Sequence, residues 1–161
     1  MNANMTPVDW AKRPLQKYMD FSGRAPRAES WWFVLAIGVA YVVVSIIEGI
    51  LGINTMIGGM YGPLSALLWL ATLLPSLAVG VRRLHDTDRS GWWLLLPIVP
   101  YCIAFALGGA AMTSGSMAEM GTAGIFLLIG VVGAIVLLIF MILPGTPGDN
   151  RYGPNPYAGQ G

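Results

Sequence analysis

Hydrophobic positions gather in four long runs, about Ser30 to Leu51, Pro63 to Val81, Gly91 to Leu107 and Ala123 to Leu143. Shorter polar or glycine-rich stretches separate them. A helix needs roughly 20 residues, and about 17 at the least, to cross a hydrocarbon core, so each run is long enough for a membrane span. The third is the shortest and contains Pro97 and Pro100, which predicts a kink. The expected fold is an all-α membrane protein, a compact bundle of four transmembrane helices over 30–51, 63–81, 91–107 and 123–143. Residues 1–29 form a polar arm, and 144–161 a Gly/Pro-rich tail expected to be extended or disordered. The first apolar run starts only at Trp31 and is too long for a cleaved leader, so it reads as an uncleaved anchor. Within the arm, Val8, Ala11, Leu15, Tyr18 and Met19 share one helical face, opposite Arg13, Gln16, Lys17 and Asp20. That spacing suits an interfacial helix, while Pro14 favours an irregular arm.

Composition supports the membrane reading. Of 161 residues, 55% are hydrophobic and 11% charged, against about 25% charged in a typical soluble domain. The net charge of +1 creates no field for nucleic acid. A single cysteine, Cys102, rules out an intrachain disulfide.

The placement of charge gives an expected orientation. Lys12, Arg13, Lys17, Arg24 and Arg27 precede the first run, Arg82, Arg83 and Arg89 lie between the second and third, and Arg151 lies in the tail. The connectors 52–62 and 108–122 hold neither Lys nor Arg. Basic segments stay cytoplasmic during insertion, and four spans put all three basic segments on one side, so both termini are expected in the cytoplasm. Trp31-Trp32 and Trp92-Trp93 open the first and third runs, at interface depth.

The densest polar cluster runs from Arg82 to Trp93. In one reading Arg82 and Arg83 follow a helix C-terminus, where cations meet the negative end of the dipole, while Ser90 caps the next helix. In the other, the guanidinium groups grip a lipid phosphate or an acidic partner. His85 beside Asp86 suggests catalysis or a metal. Yet His85 is the sole histidine, no local nucleophile motif accompanies it, and zinc needs three or four ligands. No catalytic residue, metal or cofactor is expected; an enzyme acting on lipid through His85 and Asp86 is the minor alternative. Glu48 is the one ionisable residue inside a predicted span. It either reaches water at the outer end or serves packing or a solute path. Small residues recur four apart (Ala36 and Ala40, Ser76 and Gly80, Ala104 and Gly108, Gly130 and Ala134), a spacing that permits close helix approach in lipid.

Three segments resemble a known family. Phe21-Ser22-Gly23-Arg24 with Arg27 and Trp31-Trp32, then Pro75 with Val81-Arg82-Arg83-Leu84-His85-Asp86 and Arg89-Ser90-Gly91-Trp92-Trp93, then Pro144-Gly145, Gly148 and Asn150-Arg151-Tyr152-Gly153-Pro154 are similar to motifs of the domain-of-unknown-function 805 (DUF805) family of small bacterial inner-membrane proteins. The resemblance covers about Phe21 to Pro154. It implies a multi-span protein of the bacterial inner membrane and no established activity. Asp88 departs from the pattern, which more often has Gly or Asn there.

The three segments share the predicted cytoplasmic face, where they are expected to form one interaction surface from Phe21, Gly23, Arg24, Arg27, Arg82, Arg83, His85, Asp86, Arg89, Ser90, Gly91, Trp92, Asn150, Arg151 and Tyr152. Asp86 is expected to pair with Arg24 or Arg83, and Asn150 and Arg151 to close over the central loop. The expected function is a non-enzymatic module that binds anionic phospholipid headgroups, a protein partner or a second copy of itself. The alternative is a small transporter or channel subunit acting as an oligomer, against which the first, second and fourth runs offer no polar stripe.

Overall fold

A computed structural model describes residues 5–53 and 62–156. Five α-helices occur in order: α1 Pro7–Gln16, α2 Arg27–Leu51, α3 Pro63–Asp86, α4 Leu95–Ser114 and α5 Met117–Ile142, with a single 3-10 turn at Gly91–Leu94 before α4. No strand forms among the described residues. Arg27–Leu51, Pro63–Asp86, Gly91–Ser114 and Met117–Ile142 are each long and apolar enough to cross a membrane.

The spans run past the apolar runs at several ends. The first begins at Arg27 rather than Ser30, and α3 continues to Asp86 rather than stopping near Val81. Arg82 and Arg83 therefore lie inside α3. The expected connector 108–122 shrinks to Gly115 and Ser116. Gly115 adopts φ 70° and ends α4, and the Ser116 hydroxyl accepts from Glu119 N at 3.3 Å to start α5. Gly108 and Gly109 stay helical. Most of the other connector, 54–61, lies outside the described residues.

α1 forms despite Pro14. Thr6 and Asp9 make a reciprocal capping box with Pro7 in the first turn, and Pro14 is buried. The helix packs mainly on α2. Val8, Leu15 and Met19 remain exposed.

The spans pair as two hairpins, α2–α3 and α4–α5, and α4 against α5 is the most extensive pairing. Its seam is built from small residues. A Cβ at Gly133 would stand 2.9 Å from the Leu96 carbonyl oxygen, and one at Gly130 would stand 2.8 Å from the Tyr101 ring. Pro100 lacks the N–H that would bond the Leu96 carbonyl in a regular helix, so that freed oxygen is the group that approaches Gly133. Pro97 lies in the first turn of α4, where its missing N–H costs nothing. Ala104, Ala111 and Ala123 are buried, and Gly108 faces Ala123. The other small pairs differ, because Ala36 and Ser76 are exposed.

Pro75 creates a second freed carbonyl, that of Ala71 in α3. The Tyr18 hydroxyl donates to it at 2.6 Å. A backbone oxygen without a partner in hydrocarbon costs several kcal/mol, and Tyr18 removes that cost while docking the α1–α2 link on α3.

The molecule is polar inside. Its largest fully buried side chains include Arg82, Arg83, Glu29 and Asp86 beside Phe33 and Leu84. Ala25, Phe33 and Val79 form a small apolar cluster, with Ile37 against it. Most other large apolar side chains point outward, as lipid as solvent demands.

Candidate functional site

The three motif segments meet at the end of the bundle where α2 begins and α3 ends. Two buried ionic clusters hold them. In the first, Asp86 takes both guanidinium partners that it was expected to choose between. Arg24 Nε donates to Oδ1 at 2.9 Å, and Arg83 Nη1 donates to Oδ2. One carboxylate cannot balance two cations. The remaining N–H groups turn to backbone oxygens: Arg24 to Gly148 at 2.6 Å and Thr146 at 2.8 Å, Arg83 to Met141 at 3.1 Å and to Leu143. Met141 and Leu143 stand at the end of α5, where carbonyls have run out of helical donors and carry partial negative charge. A helix terminus thus replaces a second carboxylate.

The tail completes this cluster. Thr146 N donates to Asp86 O at 2.9 Å, and Asn150 Nδ2 donates to His85 O at 2.9 Å. Both satisfy carbonyls at the end of α3. Gly145 runs so close to the Asp86 carboxylate that a Cβ there would overlap it. Residues 144–156 are therefore folded against the bundle, and the expectation of an extended or disordered tail is corrected over that range. Composition signals a breaker of regular structure here; the specific hydrogen bonds that order the segment lie far away in sequence.

In the second cluster, Glu29 is shared by two arginines. Arg82 Nη1 donates to Oε1 at 2.6 Å, and Arg13 Nε lies 3.2 Å from Oε2. The latter contact is an ion pair without hydrogen-bond alignment. Arg82 is wholly buried, and its Nε and Nη2 have no hydrogen-bond partner. Among the described residues Glu29 is its one ionic counter-charge, and Arg13 ties α1 to the same carboxylate. Ala25 N donates to Arg82 O at 2.9 Å, fixing the Gly23–Pro26 entry to α2.

Around these clusters lies a half-exposed shell. The His85 ring stacks on Tyr152 at 3.8 Å, with the planes 4° apart, and its Nδ1 is 3.2 Å from Gly23 O. Arg151 pairs with Asp88 at 3.2 Å and lies over Tyr152. Asp88 has φ 56°, the left-handed region that favours Gly and Asn. This explains why Asp is a departure there, and its pairing with Arg151 uses the carboxylate that Gly lacks. Arg89 covers the Phe140 ring at 4.1 Å. Ser90 Oγ accepts from Trp92 N at 3.4 Å as a cap, while Gly91 packs on Val81. Phe21, Arg27 and Trp92 are exposed, and Arg27 Nε donates to Leu143 O at 3.2 Å.

Two expectations change. Arg82 and Arg83 do not reach outward to grip an anion; both are fully buried and ion-paired. His85 and Asp86, the pair of the minor enzymatic alternative, turn to different partners: Asp86 to arginines inside, His85 to Gly23 and Tyr152. Glu29 and Thr146 are absent from the expected surface, and Arg13 and Tyr18 enter the sequence reading only through the candidate helix and the basic segment of the arm. A usable signal existed for Glu29, a carboxylate directly before an apolar run in a chain whose spans end in unmatched arginines.

Glu48 does not reach the surface. It is buried, and its carboxylate accepts from Leu64 N at 2.6 Å, Ser65 N at 2.9 Å and Ser65 Oγ at 2.6 Å. It caps α3 from the neighbouring helix, where the dipole is positive, and so serves packing.

The sequence profile of the family described as "Protein of unknown function (DUF805)" matches residues 18–154. The chain belongs to the DUF805 family. It is 37% identical to the inner membrane protein YhaI of Escherichia coli K12 over 152 residues, 94% of this chain and 98% of that one. It is 32% identical to the inner membrane protein YhaH of the same organism over 149 residues, 92% of this chain and 97% of YhaH. A protein named only as uncharacterized, YiiR, is 32% identical and covers 86% of each chain. No solved structure matches. With these relatives and four spans, the protein is a multi-pass protein of the bacterial inner membrane. The profile begins just ahead of the motif entry at Phe21 and ends with Pro154, so it takes in every member of the Asp86 cluster and leaves out Arg13.

Proposed function

We propose that this DUF805 protein is a non-enzymatic membrane module whose basic end faces the cytoplasm and holds anionic lipid headgroups. One observation carries the reading: the carboxylates at this end are all occupied. Asp9 caps α1, Asp20 binds Lys17 and Ser22, Glu29 and Asp86 are buried in ion pairs, Asp88 meets Arg151, and Asp149 accepts from Asn155 N. All nine Lys and Arg stand at this end, against six of the eight Asp and Glu. The excess is positive, with Lys12, Arg27 and Arg151 exposed. Exposed Trp31, Trp32, Trp92 and Trp93, the residue type that favours the interface, support a position of that charge near headgroup depth. Basic groups near an anionic surface contribute about 1 kcal/mol each, less at high salt. The alternative, a small transporter or channel subunit, loses its candidate intramembrane charge to the capping of α3.

The test is native mass spectrometry of the full chain from mild detergent, with phosphatidylglycerol or phosphatidylcholine added. Wild type should retain phosphatidylglycerol preferentially. Lys12→Gln/Arg27→Gln/Arg151→Gln should lose that preference with little change in melting temperature. Equal retention of both lipids by wild type removes the reading.

A further inference from the structure

Five residues of the central motif outside the ionic clusters, Val81, His85, Ser90, Gly91 and Trp92, line one groove. It lies between α3 and the Gly91–Leu94 turn leading into α4, holds about 390 Å³, and is lined by Leu77, Val81, His85, Ser90, Leu94 and Ile98 among others. Phe21 and Trp92 stand on its rim, and Trp92 is 78% exposed. Leu77, Val81, Leu94 and Ile98 belong to span-length helices, so the apolar part of the groove borders bilayer.

Its polarity runs in one direction. From Leu77 to His85 the wall rises by roughly 12 Å at the helical pitch, apolar at the far end and polar only at the basic end. That gradient is the gradient of a phospholipid. The walls are fixed: Gly91 packs on Val81 and Gly80 on Leu94, leaving no room for a Cβ at Gly91.

The polar end also has a definite donor pattern. Gly23 O can only accept, so the proton in its contact with His85 sits on Nδ1. Nε2 of the neutral ring is then an acceptor, and it asks for a hydroxyl or ammonium. Ser90 Oγ accepts from Trp92 N and keeps its own O–H to donate, which suits a phosphate oxygen. Arg151, paired with Asp88, lies over the Tyr152 ring that stacks on the same histidine.

We propose that this groove is a specific site for one anionic phospholipid with a hydroxyl-bearing headgroup. The headgroup hydroxyl donates to His85 Nε2, the phosphate takes the Ser90 O–H, and an acyl chain lies along Val81, Leu77 and Ile98. The inference rests on the headgroup-binding function above and names its site.

The experiment again uses the full chain in mild detergent, titrated with phosphatidylglycerol and followed by native mass spectrometry and thermal melting. Ile98→Trp fills the apolar end. Val39→Trp puts the same ring on the exposed surface of α2 and is the control. His85→Asn keeps a donor toward Gly23 and removes the Nε2 acceptor. The expected result is one phosphatidylglycerol held by wild type and Val39→Trp, and binding weakened by at least about tenfold in Ile98→Trp and His85→Asn. Should Ile98→Trp melt early, phosphatidylglycerol with brominated acyl chains, at one lipid per chain, replaces it. Fluorescence must then be quenched more in wild type than in Trp92→Phe. If Ile98→Trp and His85→Asn hold the lipid while the Lys12, Arg27 and Arg151 variant releases it, the groove is refuted and the headgroup reading stands. If neither set releases it, or wild type holds none, both fall. Equal quenching in wild type and Trp92→Phe also refutes the groove.

Discussion

The two hairpins solve one problem by opposite chemistry. α2 and α3 are held at both ends by carboxylates reaching across: Glu29 to Arg82 at one end, Glu48 to the start of α3 at the other. Among the described residues α4 and α5 show no such bridge along their seam. They approach through Gly130, Gly133, Ala104 and Ala123, and the Ser114 to Glu119 hydrogen bond, at 2.7 Å, sits at the turn. In lipid neither apolar contact nor charge is free. The first hairpin gains its stability from groups that would be costly unpaired. The second gains it from dispersion at close range. An ionic seam should therefore fail abruptly when one partner is lost, and a packed seam in proportion to the volume added.

The largest effect is expected from Glu29→Ala, which strands Arg82 and releases Arg13. Breaking a buried pair typically costs about 3–5 kcal/mol. A large fall in melting temperature should follow, and Glu29→Ala/Arg82→Met should recover a good part of it. No recovery would mean that the charge was not the cause. Next is Gly133→Val, which drives a side chain into the Leu96 backbone and should cost about 1–3 kcal/mol. Gly121→Ala, with open space around it, should be neutral or mildly stabilising; equal damage from both would show that the seam is not size-limited. Glu48→Ala removes three hydrogen bonds at the α3 start and should cost about 1–2 kcal/mol, with Glu48→Gln in between because it keeps an acceptor. Tyr18→Phe should cost about 1 kcal/mol through the Ala71 carbonyl. If Tyr18→Phe were silent, α1 and its link would contribute nothing to α3, and the ionic hairpin would end at Glu29.

These differences bear on what a sequence can disclose. The four spans were legible because a span is a local property, a run of apolar residues about as long as a bilayer is thick. Their ends were less so, since α3 carries Arg82, Arg83 and Asp86 inside its last turns by virtue of partners that compensate them. The meeting of the three motif segments followed from topology and the family resemblance. The inward direction of Arg82 and Arg83 did not, because a basic pair at a span end reads the same whether it faces lipid headgroups or a buried carboxylate. Glu48 was visible as an anomaly, but its role was not. Capping α3 depends on where the next helix starts in space, and no spacing along α2 encodes that. The tail was misjudged for a similar reason: Gly and Pro forbid a helix, yet they permit the close passage of Gly145 against Asp86.

The long reach of Arg83 has a consequence in time. Its Leu143 acceptor lies 60 residues further along the chain. At about 5–20 residues per second of synthesis, that partner emerges roughly 3–12 s after the arginine itself. During that interval Arg83 has Asp86 beside it but lacks the α5 carbonyls that take its remaining N–H groups, so the end of α3 stays incomplete until the last span has been made. Once α5 has entered and residues 144–150 have folded back, the same guanidinium becomes interior. The end of α3 is thus finished only by the last span and the tail that follows it.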